Sequence, residues 1–209
     1  MIRKILNGDY LSRLDNIVQW QEKNRLHNEN VGSHSLKVIV FTRVLLEDSL
    51  PGFSPDTVQF KLDCVTLAMF HDFDEALILR DISHETKYND FNGEEIRKAI
   101  NDYARYLSQK EFQECGERGF TDAFQMLFNN ICCPNEDVKQ FVKLADWLAL
   151  LYNLNIEKGL GNKHDWVDKC LTHCRQSIGV CADSVVEILE RRFPNNVELS
   201  ELKQISHYD

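Results

Sequence analysis

"LAMFHDFDEALIL", residues 67–79, interrupts an apolar run with one histidine and three carboxylates. Its two ends have the composition of a buried helix, and its middle holds His71, Asp72, Asp74 and Glu75. Burying charged groups is costly unless a partner compensates them. Imidazole nitrogen and carboxylate oxygen are both good ligands for divalent metals. The run therefore raises the hypothesis of a metal site on a helix.

Helix geometry decides which of these side chains can act together. Adjacent residues point about 100° apart, so His71 and Asp72 can share one ion if it lies at the helix end or over the edge between two faces. Glu75 follows His71 by four residues and shares its face. A carboxylate beside a metal, but not needed to bind it, could orient or deprotonate the attacking water. Asp74 is also consistent with a solvated side chain.

Two further helices direct a polar residue towards the core. His34 begins the apolar stripe that continues through Val38, Phe41 and Leu45, and Asp146 is the one acid in "FVKLADWLALLYNL". Each has a simpler explanation, because His34 could be a hydrogen-bonded core histidine and Asp146 could cap a backbone or pair with an arginine. Taken together, the order His, His-Asp, Asp on successive helices favours a metal site.

The rest of the chain predicts an all-α fold. Apolar residues recur mostly every three or four positions, and 209 residues contain only four prolines and nine glycines, which is typical of helices. The length suits one domain, 1–209, with helices in 165–205 packing on its core. The predicted helices cover 9–24, 32–49, 55 through the 67–79 run, 93–111, a segment capped by Thr121, the stretch 135–161 and 165–193.

Charge and composition exclude some classes of partner. The net charge of −9 argues against binding to nucleic acid or to an anionic membrane through a basic surface. It does not exclude a phosphate-bearing small molecule, since a local cation can overcome a global field. No apolar run reaches membrane-spanning length, and the first sixteen residues lack the apolar core of a signal peptide. The expected location is the cytoplasm, or the host cytoplasm if the chain is viral.

Seven cysteines are present, and three of them lie close to a histidine. Cys170, Cys174 and Cys181 with His173 raise a zinc hypothesis. Their spacing matches one stripe of a helix, where cysteine behaves as a small buried hydrophobe. No CxxC pair accompanies them. We therefore expect buried, reduced thiols rather than metal ligands.

The ordered set His34, His71–Asp72 and Asp146 resembles the HD-domain superfamily of metal-dependent phosphohydrolases. The flanking words "RLDNIVQW", "NENVGSHSLKV", "DISHETKY" and "VKLADWLALLYNL" are similar to the branch that contains bacterial 5'-deoxynucleotidases and phage enzymes that hydrolyse dATP. The resemblance covers residues 10–160. It implies a helical bundle of the HD-domain type.

The resemblance also implies roles for individual residues. The metal ligands of the family fall on His34, His71, Asp72 and Asp146, which would hold one divalent ion: Co²⁺, Mn²⁺, Ni²⁺, Zn²⁺ or Fe²⁺. Asp72 and Glu75 would be catalytic, with Glu75 handling the attacking water. The substrate-binding positions are Gln19 beside the phosphate, Trp20 against the nucleoside, where it helps to reject a 2'-hydroxyl, Asp81 at the sugar and Lys87 near the phosphate. For Trp20 the alternative is core packing, and for Lys87 it is a solvated loop.

Three departures from the family pattern affect phosphate and sugar recognition. Relatives usually carry an arginine where this chain has Gln19, which is neutral and cannot make the same bidentate contact. Arg25, His27 and Arg80 are candidates for the missing charge. Ser33 stands where relatives usually have glutamate, and one extra residue separates the His-Asp pair from Asp81.

These residues predict a divalent-metal-dependent phosphohydrolase acting on 2'-deoxynucleotides. It would release phosphate from deoxynucleoside 5'-monophosphates or triphosphate from dNTPs such as dATP. The alternative is a catalytically silent HD-fold module that binds a nucleotide or metal, and a purely structural adaptor would need no metal. Relatives commonly form dimers or larger rings, so the resemblance implies a homo-oligomer. We expect no nucleic-acid or membrane partner.

Overall fold

The computed structural model describes residues 15–19, 23–72, 135–195 and 197–206, together with positions 95, 98, 99, 102, 103 and 106. Within these residues the regular structure is helical, apart from one antiparallel backbone bridge between Val18 and Asn30. The prediction of an all-α fold is confirmed. The six described positions between 95 and 106 are helical, as expected for the predicted helix 93–111. The predicted segment capped by Thr121 lies outside the described residues.

Helix α1 spans Val31–Ser49 and agrees with the predicted 32–49. Asn30 caps its start, because the Asn30 side chain accepts a hydrogen bond of 2.7 Å from the backbone amide of Ser33, which would otherwise have no partner within the helix. Pro51 follows shortly after its end. The face that carries Val38, Leu45 and Leu46 is buried.

Helix α2 spans Pro55–Phe70. Ser54 is its N-cap and accepts the backbone amide of Thr57 at 3.2 Å, while Pro55 occupies the first helical position, where a missing amide costs nothing. The prediction that this helix continues through the whole 67–79 run is wrong at His71 and Asp72, which form a turn directly after Phe70. Both residues therefore lie at a helix end.

Helix α3 spans Glu136–Gly159, within the predicted 135–161. It ends in two backbone bonds that close the last turn: Gly161 N donates to Lys158 O at 3.0 Å, and Asn162 N donates to Glu157 O at 3.0 Å. Gly161 has a φ of +88°, a conformation that glycine adopts without strain. This turn fixes the direction in which Asn162 leaves the helix.

Helix α4 spans Asp165–Arg192, and a short helix α5 follows at Ser200–Ser206. Phe193 and Pro194 end α4 as predicted. Ion pairs join α3 and α4 at both ends of their interface: Arg191 and Arg192 contact Asp137 at 2.6 and 3.2 Å, and Lys158 contacts Asp168 at 2.9 Å. Each acid lies in a first turn and each base in a last turn, so the pairs also offset the helix dipoles.

The predicted helix near 9–24 is wrong over part of its length. Asp15 and Asn16 are helical, but 17–19 and 23–24 are not. The reason is a pairing with a later segment: Gln19 N donates to Glu29 O, and Val31 N donates to Ile17 O, both at 2.9 Å. Backbone groups committed to this pairing cannot also form helical bonds.

Backbone proximity divides the chain into two compact units. One comprises 1–23, 28–33 and 70–133, and contains the Val18–Asn30 bridge. The other comprises 24–27, 34–69 and 134–209, and contains most of α1 and α2 together with α3, α4 and α5. Its core includes an edge-to-face contact between Phe60 and Phe141, whose ring centroids lie 5.9 Å apart. A single domain over 1–209 stays a prediction.

The prediction of buried thiols on α4 is confirmed for Cys174 and Cys181, whereas Cys170 is only partly buried. Cys174 and Cys181 are buried, and Cys174 Sγ donates to Trp147 O at 3.2 Å. Burial, aided by the negative charge of Asp146, raises the pKa of the Cys174 thiol to about 12. A thiol with such a pKa stays protonated at neutral pH.

Candidate functional site

Helices α1 and α3 bring His34 and Asp146 into direct contact. His34 Nε2 lies 2.8 Å from Asp146 Oδ1. The His34 side chain is only 6% exposed, whereas that of Asp146 is 43% exposed. The pair thus joins a buried imidazole in the first turns of α1 to a more accessible carboxylate near the middle of α3. His34 is thus the partner that compensates the charge of Asp146, so neither a backbone cap nor an arginine pair is needed to explain this acid.

His71 and Asp72 form a second pair at the end of α2. His71 Nε2 lies 3.1 Å from Asp72 Oδ2, and their side chains are 12% and 15% exposed. Because α2 ends at Phe70, both side chains project from a turn beside the C-terminal end of a helix, whose partial negative charge favours cations. The sequence predicted that His71 and Asp72 could share one ion if it lay at a helix end, and the two residues do lie at the end of α2.

Ligand atoms of His34, His71 and Asp72 all lie within 4.8 Å of one another. Two ligands bound about 2.1 Å from one ion lie at most about 4.2 Å apart, so these donors need little movement to hold a single ion. Asp146 is joined to the group by its contact with His34. In the part of the chain that the structure describes, no other set of three His, Cys, Asp or Glu side chains is grouped in this way.

The donor set fits a divalent transition metal. Two imidazoles and one or two carboxylates suit Mn²⁺, Fe²⁺, Co²⁺, Ni²⁺ or Zn²⁺, and an all-oxygen site would be expected for Mg²⁺ or Ca²⁺. Among the described residues, Cys170, His173 and Cys174 do not form such a group.

Most of the predicted substrate residues are outside the described part of the chain. The structure does not describe the predicted substrate residues Trp20, Asp81 and Lys87, nor the predicted catalytic residue Glu75. Their roles stay predictions. Gln19 is described: it is 9% exposed, and its backbone amide pairs with Glu29.

Arg25, one of the three candidates to replace the missing arginine, is engaged elsewhere. Its side chain is 7% exposed, and its Nε donates to Glu157 Oε1 at 3.3 Å. Glu157 was not singled out by the sequence analysis. A signal for it was present, because Glu157 follows Asp146 by eleven residues and so lies within about 20° of it around α3. A second acid on the buried face of an apolar helix calls for a compensating partner just as the first does.

Comparison with known proteins agrees with this architecture. The family described as 5'-deoxynucleotidase YfbR-like matches residues 8–195. An HD-domain phosphohydrolase from Listeria innocua aligns with a TM-score of 0.65 at 16% identity, over 97% of this chain and 95% of its own. The PH0347 protein from Pyrococcus horikoshii OT3 aligns with a TM-score of 0.56 at 19% identity, over 99% of both chains. No curated protein matches.

The similarity to the Listeria innocua structure confirms a helical fold of the HD-domain type. Among the helices described, none is both long enough and apolar enough to cross a membrane.

Proposed function

Because the chain belongs to the 5'-deoxynucleotidase YfbR-like family, we propose that it is a divalent-metal-dependent phosphohydrolase acting on 2'-deoxynucleotides. The observation that carries the proposal is the grouping of His34, His71 and Asp72 within 4.8 Å, with Asp146 held to His34. The family description supports hydrolysis of deoxynucleoside 5'-monophosphates to deoxynucleoside and phosphate. Cytoplasmic location and a homo-oligomeric state belong to the same proposal.

Release of triphosphate from dNTPs such as dATP is the second candidate. The observation in its favour is Gln19, which stands where relatives usually carry a phosphate-binding arginine. A neutral, buried side chain there cannot make the bidentate contact that such an arginine offers, so the phosphate end of the substrate would be bound differently.

In the proposed mechanism, His34, His71, Asp72 and Asp146 would hold one divalent metal ion. A bound divalent ion supplies charge screening for the phosphoryl group and lowers the pKa of water. Glu75 orients the attacking water and accepts its proton. Water adds at phosphorus in line with the leaving oxygen, the P–O5' bond breaks, and O5' takes up a proton from solvent to leave as the hydroxyl of the deoxynucleoside. Trp20 packs against the nucleoside and disfavours a 2'-hydroxyl, which gives the preference for deoxynucleotides.

Chromatography of the products from a mixed incubation tests substrate class and bond cleaved together. Purified protein with Mn²⁺ or Co²⁺ is incubated with a panel of dNMPs and dNTPs. We expect deoxynucleosides with phosphate, and the appearance of triphosphate would establish the second candidate. A protein that takes up the metal but yields no product would instead be the silent binding module. Elemental analysis that finds no metal uptake would indicate the structural adaptor.

A further inference from the structure

Glu157, near the end of α3, is a carboxylate that is only 1% exposed. Its oxygens accept four hydrogen bonds: from the backbone amides of Leu26 and His27 at 2.9 Å each, from Asn162 Nδ2 at 2.8 Å and from Arg25 Nε at 3.3 Å. A carboxylate has about four lone-pair sites. The acceptor capacity of Glu157 is therefore filled by protein donors.

Glu157 is ionised at neutral pH despite its burial. Burial raises the pKa of its carboxyl, but the hydrogen bonds from Asn162, Leu26, His27 and Arg25 together outweigh burial, so that the pKa is lowered. The four donors thus surround a fixed negative charge, and hydrogen bonds to a charged acceptor are stronger than those to a neutral one.

Three of the four donors come from one short loop, residues 24–27, whose backbone is neither helix nor strand. Asn162 ties the same loop a second time, because its Nδ2 also donates to Asn24 O at 2.9 Å. A buried ion pair adds little to stability compared with apolar residues of the same shape. What a fully satisfied buried carboxylate does supply is a single conformation for the groups that it binds.

The position of this loop along the chain connects it with substrate binding. It begins four positions after Trp20 and ends seven positions before His34. The amide of Gln19 pairs with Glu29 O at 2.9 Å, so the stretch between them is closed by backbone pairing. The backbone of 24–27 lies within this stretch and is fixed by Glu157.

We propose that Glu157 is a positioning residue for substrate binding: it fixes the backbone of loop 24–27, which follows the proposed substrate positions Gln19 and Trp20 along the chain, in the conformation that nucleotide binding requires. The inference rests on the proposed function. The anchor of loop 24–27 is then Glu157 with its four donors, and Arg25 is one of these donors. Arg25 is therefore no longer a candidate for phosphate contact.

The test is Glu157→Gln, which keeps the volume of the side chain, removes its charge and turns an NH₂ group towards the donors. Steady-state kinetics are measured with dAMP and dATP, and metal content and thermal unfolding are measured in parallel. We expect KM to rise about tenfold, kcat to change by less than about twofold and metal content to stay at the wild-type level, because loop misplacement weakens binding rather than the chemical step. Glu187→Gln, the same change at an exposed position of α4, should leave both constants unchanged.

Asn162→Ala is the second variant, because it removes one of the four donors and leaves the Glu157 charge and the other three in place. We expect a KM about threefold higher, and this variant decides the matter if Glu157→Gln does not fold. Lower stability with unchanged KM in both variants would overturn the inference, as would loss of metal. A wild-type protein that turns over neither nucleotide would refute the proposed function, and the inference with it. Active wild type with unchanged KM in the variants refutes the inference alone.

Discussion

At the scale of single residues, the proposed chemistry depends on side chains contributed by three different parts of the chain. His34 comes from α1, His71 and Asp72 from the turn after α2, and Asp146 from α3. The Nε2 of each histidine lies within about 3 Å of a carboxylate oxygen: 2.8 Å to Asp146 for His34 and 3.1 Å to Asp72 for His71. The contact of His34 is a hydrogen bond, and a carboxylate bonded in this way fixes the orientation of an imidazole.

Replacing Asp72 with alanine removes one carboxylate from the proposed metal group without disturbing α2, which ends at Phe70. We expect metal content and hydrolysis of dAMP to fall to background while far-UV circular dichroism stays unchanged. Asp183→Ala, at an exposed position of α4, is the control and should retain both. Full activity with stoichiometric metal in the Asp72 variant would contradict the assignment.

Glu75→Ala separates binding of the metal from handling of the water. Since Glu75 is proposed to accept a proton and not to bind the ion, we expect metal content to persist while kcat falls by about 10²–10⁴-fold, the usual contribution of a general base. Single-turnover assays with metal-loaded protein measure this. A variant that loses its metal would identify Glu75 as a ligand instead.

The grouping of His34, His71 and Asp72 was predictable at this scale, and the hydrogen-bond partners of Glu157 were not. His34, His71, Asp72 and Asp146 stand out because each interrupts an apolar pattern. Glu157 also lies on a buried face, but its partners are backbone amides 130 and 131 residues away. Backbone amides are present at every residue except proline, so no side-chain pattern marks the ones that will meet a carboxylate.

At the scale of elements, helix boundaries followed local capping rules wherever a cap was visible in the sequence. Ser54 and Pro55 mark the start of α2, and Pro194 follows the end of α4, because these residues act within one turn. The predicted helix near 9–24 was wrong at Ile17 to Gln19, because their backbone pairs with residues ten to fourteen positions further on. Helical periodicity carries no information about such a competing partner.

Gly161→Ala tests the turn that ends α3. With φ at +88°, a Cβ at this position costs about 1–2 kcal/mol, so we expect the free energy of unfolding to drop by that amount in urea titrations. Gly159→Ala is the matched control: its Cβ would meet nothing within 4 Å, and within a helix alanine is favoured over glycine by about 0.5–1 kcal/mol. Equal effects from the two substitutions would contradict this account of the turn.

At the scale of the whole molecule, acid stability depends on Glu157. Its folded-state pKa is lowered, so its contribution is fully present above its unfolded value of about 4.3 and is lost as pH falls through the folded value. We expect the free energy of unfolding to decrease as pH is lowered below about 5, measured by urea unfolding from pH 7 to pH 3. Glu157→Gln should flatten this decrease, and Glu187→Gln should keep it. An unaltered slope in the first variant would show that other groups govern the acid transition.

The ion pairs at both ends of the α3–α4 interface have a consequence for the order of folding. These helices are neighbours along the chain, and contacts between near neighbours form early because little loop entropy opposes them. We expect the hairpin of α3 and α4 to be the folding nucleus. Asp146 and Glu157, which belong to α3, would then be in place before α1 and α2 pack on the hairpin. Ile178→Val in the hairpin should then slow refolding in stopped-flow experiments, whereas Val38→Ala in α1 should mainly accelerate unfolding. Helices α3 and α4, which are synthesised later than α1 and α2, would thus be the template on which these earlier helices assemble.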